Sequence, residues 1–288
     1  MKRFMLIILA VSTVLVSGVS CSKEDPQQKL PEGALPGEFS ISATKKVHFS
    51  QGNLVATIDA SGVPVAWKFA TKQHDYLGEG GANGTIGTAA GDIDLFCWST
   101  DATSNNWGIY TMTEITEGVT DGNFNDWGKN IGNGNIWRTL STEEWQYLFS
   151  YDGSVHGGTD YDNDTRRGKY KNGVTVCGKE YCVVLLPDNW DTSLISLDTF
   201  ANTTKYDEET AVKWSAMQAA GAVCLPAAGY RKGLFMYAVD DLGNYWTSSA
   251  YDDEEYASSE SFLGDIIYAD DYDLRHLGFN VRLITDVK

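Results

Sequence analysis

Positive charge is scarce in this chain, and so is histidine. Twenty-two Lys and Arg stand against 39 Asp and Glu, for a formal charge of −17, and there are only 4 His. An acidic surface of this kind repels polyphosphate backbones and anionic lipid headgroups, which argues against nucleic acid as a partner. His48, His74, His156 and His276 are scattered. No His-Glu-x-x-His, Cys-x-x-Cys or Gly-x-Ser-x-Gly motif occurs, so no metal, no cofactor and no catalytic residue is predicted. Near matches fail on chemistry. Gly173–Glu180 fits Gly-x4-Gly-Lys, but Glu180 stands where a Ser or Thr would hold magnesium, and the context reads as a hairpin. Asp160, Asp162 and Asp164 alternate like a calcium loop, yet Thr165 replaces the needed Gly and no Glu closes the loop. Spread carboxylates can always be paired as a glycosidase acid and base, and nothing in the sequence selects a pair.

What is present begins at the N-terminus. Lys2 and Arg3 precede an apolar run from Phe4 to Val16, followed by Gly18-Val19-Ser20-Cys21. The run falls short of the ~20 residues of a comfortable bilayer span, and small residues before a cysteine suit a signal peptidase. We read 1–20 as a lipoprotein signal peptide and Cys21 as a lipid-carrying mature N-terminus, so the membrane is a partner through that lipid. A plain cleaved signal or an N-terminal membrane helix is the alternative. Ser22-Lys23-Glu24-Asp25 resembles the signal that sends Bacteroidetes lipoproteins through the outer membrane to face the medium. Residues 21–38, polar and punctuated by Pro26, Pro31 and Pro36, read as a flexible tether.

The remainder, 39–288, is predicted to be one domain, because 42% hydrophobic and 12% aromatic residues can fill a core without metal or oligomer. Nothing repeats at a solenoid or propeller period. Short alternating runs separated by Gly, Asn, Asp and Ser clusters read as strands and turns. Two helices stand out. Ser141 and Glu144 form a capping box ahead of a helix over about 142–150, with Trp145, Leu148 and Phe149 on one face. A second is predicted over about 208–220, ended by Gly221. Four cysteines remain beyond Cys21. Cys97 and Cys224 sit in apolar runs and read as core residues, while Cys177 and Cys182 flank a hairpin where a cross-strand disulfide needs suitable geometry. Free buried thiols are the favoured reading.

Five ordered segments carry a family resemblance: 137–145 (WRTLSTEEW), 184–190 (VLLPDNW), 224–231 (CLPAAGYR), 243–249 (GNYWTSS) and 275–283 (RHLGFNVRL). Together they resemble the paralogous lipoprotein domain of Bacteroidetes that is similar to formylglycine-generating enzymes. The resemblance implies a C-type-lectin-like α+β fold with two main helices and several short antiparallel strands. In it Trp137, Trp145, Trp190, Trp246, Gly278 and Arg282 serve as framework, and the two ends of the domain meet. It does not carry activity over. Formylglycine-generating enzymes use a C-terminal cysteine pair, and no cysteine follows Cys224 here. Calcium-dependent sugar binding is equally unsupported, since Glu-Pro-Asn and Gln-Pro-Asp are absent.

The stretch that most resembles a recognition surface is 250–276, with Tyr251, Asp252, Asp253, Tyr256, Tyr268, Asp270, Asp271, Tyr272 and His276. Tyr supplies contact area at low entropic cost, and Asp adds adaptable hydrogen bonds. The same residues also suit a solvated edge. The expected function is therefore noncovalent binding of an extracellular glycan or protein. A glycan-active or oxidase-like enzyme and a structural subunit of a surface assembly are the alternatives.

Overall fold

The computed structural model describes residues 29–98, 106–111, 124–132, 136–149 and 169–288. The signal peptide, Cys21, His156 and the Asp160–Asp164 segment lie outside the described residues. No helix among the described residues is long and apolar enough to cross a membrane.

Strands dominate. β1 (Phe39–Ser40) pairs with β2 (Lys46–Phe49), and β3 (Leu54–Ile58) is flanked by β4 (Pro64–Phe69) and β5 (Gly91–Ile93). β6 (Arg138–Thr139) leads into α1 (Thr142–Leu148). β7 (Lys169–Val176) and β8 (Lys179–Leu186) form a hairpin; α2 (Leu197–Asn202), β9 (Lys205–Tyr206), α3 (Trp214–Ala219) and β10 (Val223–Leu225) follow, giving a sheet of order β10-β8-β7-β9. β11 (Tyr230–Lys232) and β12 (Phe235–Tyr237) make a small hairpin, and β13 (Leu242–Ala250), β14 (Tyr256–Leu263) and β15 (Ile266–Leu274) an antiparallel meander. The last strand, β16 (Leu283–Asp286), returns to lie between β2 and β6, with Ile284 opposite Phe49 and Leu283 opposite Thr139.

This corrects the predicted architecture. Among the described residues, strands make up 40% and helical residues 12%, with three short α-helices and several small sheets instead of two main helices in an α+β fold. The first predicted helix ends at Leu148. The second is cut to Trp214–Ala219 because Asp207 holds the chain ahead of it in a turn: its Oδ1 accepts the amides of Glu209 and Thr210, both at 2.8 Å. Glu208 then caps the shortened helix from outside, accepting Ser215 N at 2.8 Å. The unpredicted α2 has six residues, too few to show a period, although its N-cap Ser196 accepts Thr199 N at 3.1 Å.

Within the stretch read as a tether, Leu35 is buried and its amide donates to Phe49 O at 2.8 Å, so regular packing begins ahead of β1. The core falls into three clusters. One lies under α1 around Phe49, Trp145, Tyr245 and Phe262; a second holds Trp98, Trp127, Trp246 and Phe279; a third joins Trp190, Phe200 and Trp214 beside the β7–β8 hairpin. Each buried aromatic side chain of this size contributes on the order of 2–3 kcal/mol.

Candidate functional site

The meander β13–β14–β15 positions most of the predicted recognition residues, and two irregularities shape it. Trp246 pairs with Ser259, but Ala250, four residues on, pairs with Ala257 only two residues back. Thr247-Ser248-Ser249 stand opposite Ser258 alone, two residues in excess, and bulge toward α1. Ser248 N donates to Leu140 O at 2.9 Å, and Ser249 Oγ accepts Thr142 N at 3.1 Å. The strand thereby satisfies an amide at the N-terminus of α1 that lacks an intrahelical partner. On the other side, Ser259 pairs with Asp271 and Ser261 with Tyr268, which places an extra residue in β15 at Ala269-Asp270.

This register collects three tyrosines from three places in the chain. Tyr251 follows β13, Tyr256 opens β14 and Tyr272 lies in β15. The Tyr251 and Tyr272 rings stack at 3.9 Å between centroids and 15° between planes. Tyr256 meets both edge-on, at 6.4 Å and 5.5 Å. Tyr251 is 38% and Tyr272 44% exposed, so the stacked pair presents ring surface to solvent. Asp252–Glu255, all exposed, form the turn that joins Tyr251 to Tyr256. Desolvation first, then the Tyr272 hydroxyl and the carboxylates of Asp252 and Asp270, push the Tyr251 phenol above its ordinary range.

Arg275 ties down the Glu255–Tyr256 end of the turn, and sequence reasoning missed it. Its guanidinium lies 4.7 Å over the Trp98 ring, its Nε donates to Tyr256 O at 2.7 Å and its amide donates to Glu255 O at 3.0 Å. Trp98 is fixed in turn, donating from Nε1 to Thr247 O at 2.9 Å. The turn is therefore clamped from below by a buried cation on a buried ring.

Other predicted site residues are not part of the platform. His276 is 3% exposed, so it cannot offer a surface contact; the chain turns inward after Leu274, and the following segment through Val281 is buried. Asp271 is half-buried with its carboxylate taken by the Ser261 hydroxyl, and Tyr268 is half-buried one bulge away. Asp270 is exposed and accepts Gln146 Nε2 at 3.2 Å from α1.

The framework residues are all interior. Trp246 stacks on Phe279 at 4.3 Å and donates to Phe96 O at 2.7 Å; Trp137 meets Phe69 edge-on at 4.8 Å; Trp190 donates to Ile195 O at 3.1 Å; Trp145 stacks on Phe149 at 5.7 Å. Gly278 leaves room for Arg231, whose Cβ would stand 3.0 Å from a Cβ at 278. Arg282 is fully buried and donates to Asn53 Oδ1, Gln73 Oε1 and Cys224 O at 2.9–3.1 Å.

A concavity of about 340 Å³ between β3–β4–β5 and the β7–β8 hairpin was not legible beforehand. It contains Asp92 and Asp94, two carboxylates with environments that pull them apart: burial pushes Asp94 up, while Lys68 and Thr57 hold Asp92 down against its own partial burial. That is the pattern of an acid and base pair. The oxygens are nevertheless committed. Asp94 accepts Asn83 Nδ2 and Leu77 N, both at 2.7 Å, and Asp92 accepts Lys68 Nζ and Thr57 Oγ1, both at 2.6 Å. The pair pins loops together. A larger cleft of about 650 Å³ holds Cys177, Lys72, His74 and Glu208, but burial and the carboxylates of Glu208 and Asp207 push the Cys177 thiol up, away from a thiolate. Cys97, Cys177, Cys182 and Cys224 are free thiols. No cluster of three or more His, Cys, Asp or Glu able to hold a metal occurs among the described residues.

No family model, no curated protein and no solved structure matches this chain. The C-type-lectin-like assignment therefore has no structural likeness behind it.

Proposed function

We propose that this chain is an exported lipoprotein, anchored through Cys21 to the outer membrane and facing the medium, that binds an extracellular ligand noncovalently. The observation that carries the reading is the exposed Tyr251–Tyr272 stack, packed edge-on by Tyr256, whose backbone Arg275 clamps from below. Amphipathic rings fixed in place offer a ligand contact area without an ordering cost. The raised Cys177 thiol and the committed oxygens of Asp92, Asp94 and Glu208 in the two concavities favour binding over covalent chemistry.

The test is a glycan and protein panel probed with the full-length protein and with Tyr251→Ala/Tyr272→Ala, the folding of both being checked by circular dichroism. Saturable binding lost in the folded variant supports the platform; binding retained in it moves the site elsewhere and overturns the reading. A second reading, contact with a neighbouring subunit, is favoured by the β11–β12 hairpin, where Phe235 is 69% exposed beside Leu234 and Tyr237. Phe235→Ser would then lower the sedimentation coefficient of an assembly.

A further inference from the structure

Between Lys232 and Arg275 the chain carries eleven Asp and Glu and not one Lys or Arg. Asp252, Asp253, Glu254 and Glu255 project from the turn that links two rings of the platform, and none of the four has an ion-pair partner among the described residues. Arg275, the first cation after this stretch, is buried beneath the turn. The exposed face therefore combines aromatic ring surface with negative charge that the protein itself leaves uncompensated.

These two features select the same ligand chemistry. A ring face is negative in its quadrupole and attracts a cation within about 6 Å, worth about 0.5–1 kcal/mol at an exposed site. Carboxylates beside it add attraction over roughly a Debye length, about 10 Å at 0.1 M salt. A neutral sugar would use the rings and donate hydroxyl hydrogen bonds to single carboxylates but leave the net charge uncompensated, and an anionic one would be repelled. Guanidinium and ammonium groups on a polypeptide use both, and the turn offers several carboxylates along one edge. Arg275 over Trp98 is the same contact already made inside the molecule.

We propose that the occupant of the platform is an arginine- or lysine-rich segment of a partner protein. One cationic side chain lies on the Tyr251–Tyr272 rings and its neighbours face Asp252–Glu255. This rests on the platform being the ligand site.

The experiment is calorimetric titration of the full-length protein with oligo-arginine, oligo-lysine, oligo-glutamate and Gly-Ser peptides of equal length. Arginine and lysine peptides should bind saturably, and their affinity should drop about tenfold between about 0.05 and 0.3 M salt. Tyr251→Ala/Tyr272→Ala should weaken binding about two- to fivefold, the factor that one exposed ring contact of this kind gives. Tyr251→Phe/Tyr272→Phe, which keeps the rings, should retain most of it. Asp252→Asn/Asp253→Asn should weaken binding and flatten its salt dependence. Glu79→Gln/Glu180→Gln, the same charge change on exposed residues elsewhere, should leave it unchanged. If the alanine pair fails to fold, the Asp252→Asn/Asp253→Asn comparison carries the test alone, because both side chains are exposed. Equal weakening by the two charge-matched pairs would mean attraction to overall acidity and overturn the proposal. So would failure of every cationic peptide to bind while the panel above finds another ligand that depends on the tyrosines; in that case the platform reading stands. If neither peptides nor panel depend on the tyrosines, the two fall together.

Discussion

Gln73 and Arg282 hold each other at the centre of the molecule: Arg282 Nη2 donates to Gln73 Oε1 at 3.0 Å, and that oxygen also accepts Cys224 N at 2.8 Å. The amide end of Gln73 donates to Ala222 O at 2.9 Å, so one side chain completes the backbone of β10 while orienting a buried guanidinium. Burial pushes Arg282 down to about 10, which leaves it cationic at neutral pH. Its acceptors are neutral, and they share the charge across Asn53, Gln73 and the Cys224 carbonyl.

Removing either partner should be costly. Arg282→Ala leaves three buried acceptors short of a donor and is expected to lower stability by about 3 kcal/mol. Gln73→Ala should cost a similar amount, and the double variant less than the sum by about 1 kcal/mol or more, because each single change already removes the bond between them. Urea denaturation of the four proteins in the cycle measures this.

The N-terminus of α1 gives a smaller, local prediction. Ser141 Oγ accepts Glu144 N at 3.3 Å, and Glu144 Oε2 accepts Ser141 N at 3.0 Å. Ser141→Ala should cost about 1 kcal/mol with an unchanged denaturant slope. A change in slope would mean that the cap also governs the compactness of one end state.

Glu260 predicts a pH dependence. It is fully buried on β14, neither carboxyl oxygen has a hydrogen-bond partner among the described residues, and burial, then the Asp271 charge, hold it well above the usual carboxylate range. The folded state keeps this proton at a pH where the unfolded chain has released it. Stability from this group is therefore full below the unfolded carboxylate range and is lost as pH rises above about 4.5. Relative to Glu260→Gln, which cannot ionise, the wild type should lose about 1.4 kcal/mol per pH unit until the native carboxyl titrates. Thermal melts of the pair from acidic to neutral pH check this, and parallel curves would contradict it.

Gly243 tests close packing within the meander. A Cβ there would stand 2.0 Å from the Phe262 ring, which stacks on Tyr245 at 6.1 Å. Gly243→Ala should destabilise by about 2–3 kcal/mol, and adding Phe262→Leu should restore part of that loss.

Much of the local structure was legible in the sequence, because it depends on neighbours. The capping box at Ser141 follows from residue spacing alone, and the β7–β8 hairpin follows from two apolar runs around a glycine. Its turn is Cys177-Gly178, with φ of 48° and 83°, so Cys177 lies in the turn and not beside it. The second predicted helix was overestimated because side-chain bonds from Asp207 and Glu208 compete with helical ones before Trp214. The platform lay half hidden. Tyrosines and acids were visible between 251 and 272, but which of them meet depends on two register irregularities that only strand pairing fixes. His276 was misplaced for the same reason: nothing in Arg275-His276-Leu277-Gly278 marks where the chain leaves the surface. Arg275 and Trp98, 177 positions apart in the numbering of their contact, had no local signal at all.

The return of β16 to β2 also fixes how the domain would bear a mechanical load. The chain enters beside Phe49, where Leu35 N bonds to Phe49 O, and leaves beside Lys46, where Val287 N bonds to Lys46 O. Entry and exit thus lie at opposite ends of the same strand. A pull between the two termini runs along the strands and across their hydrogen bonds, which must yield together instead of opening one after another as in a zipper.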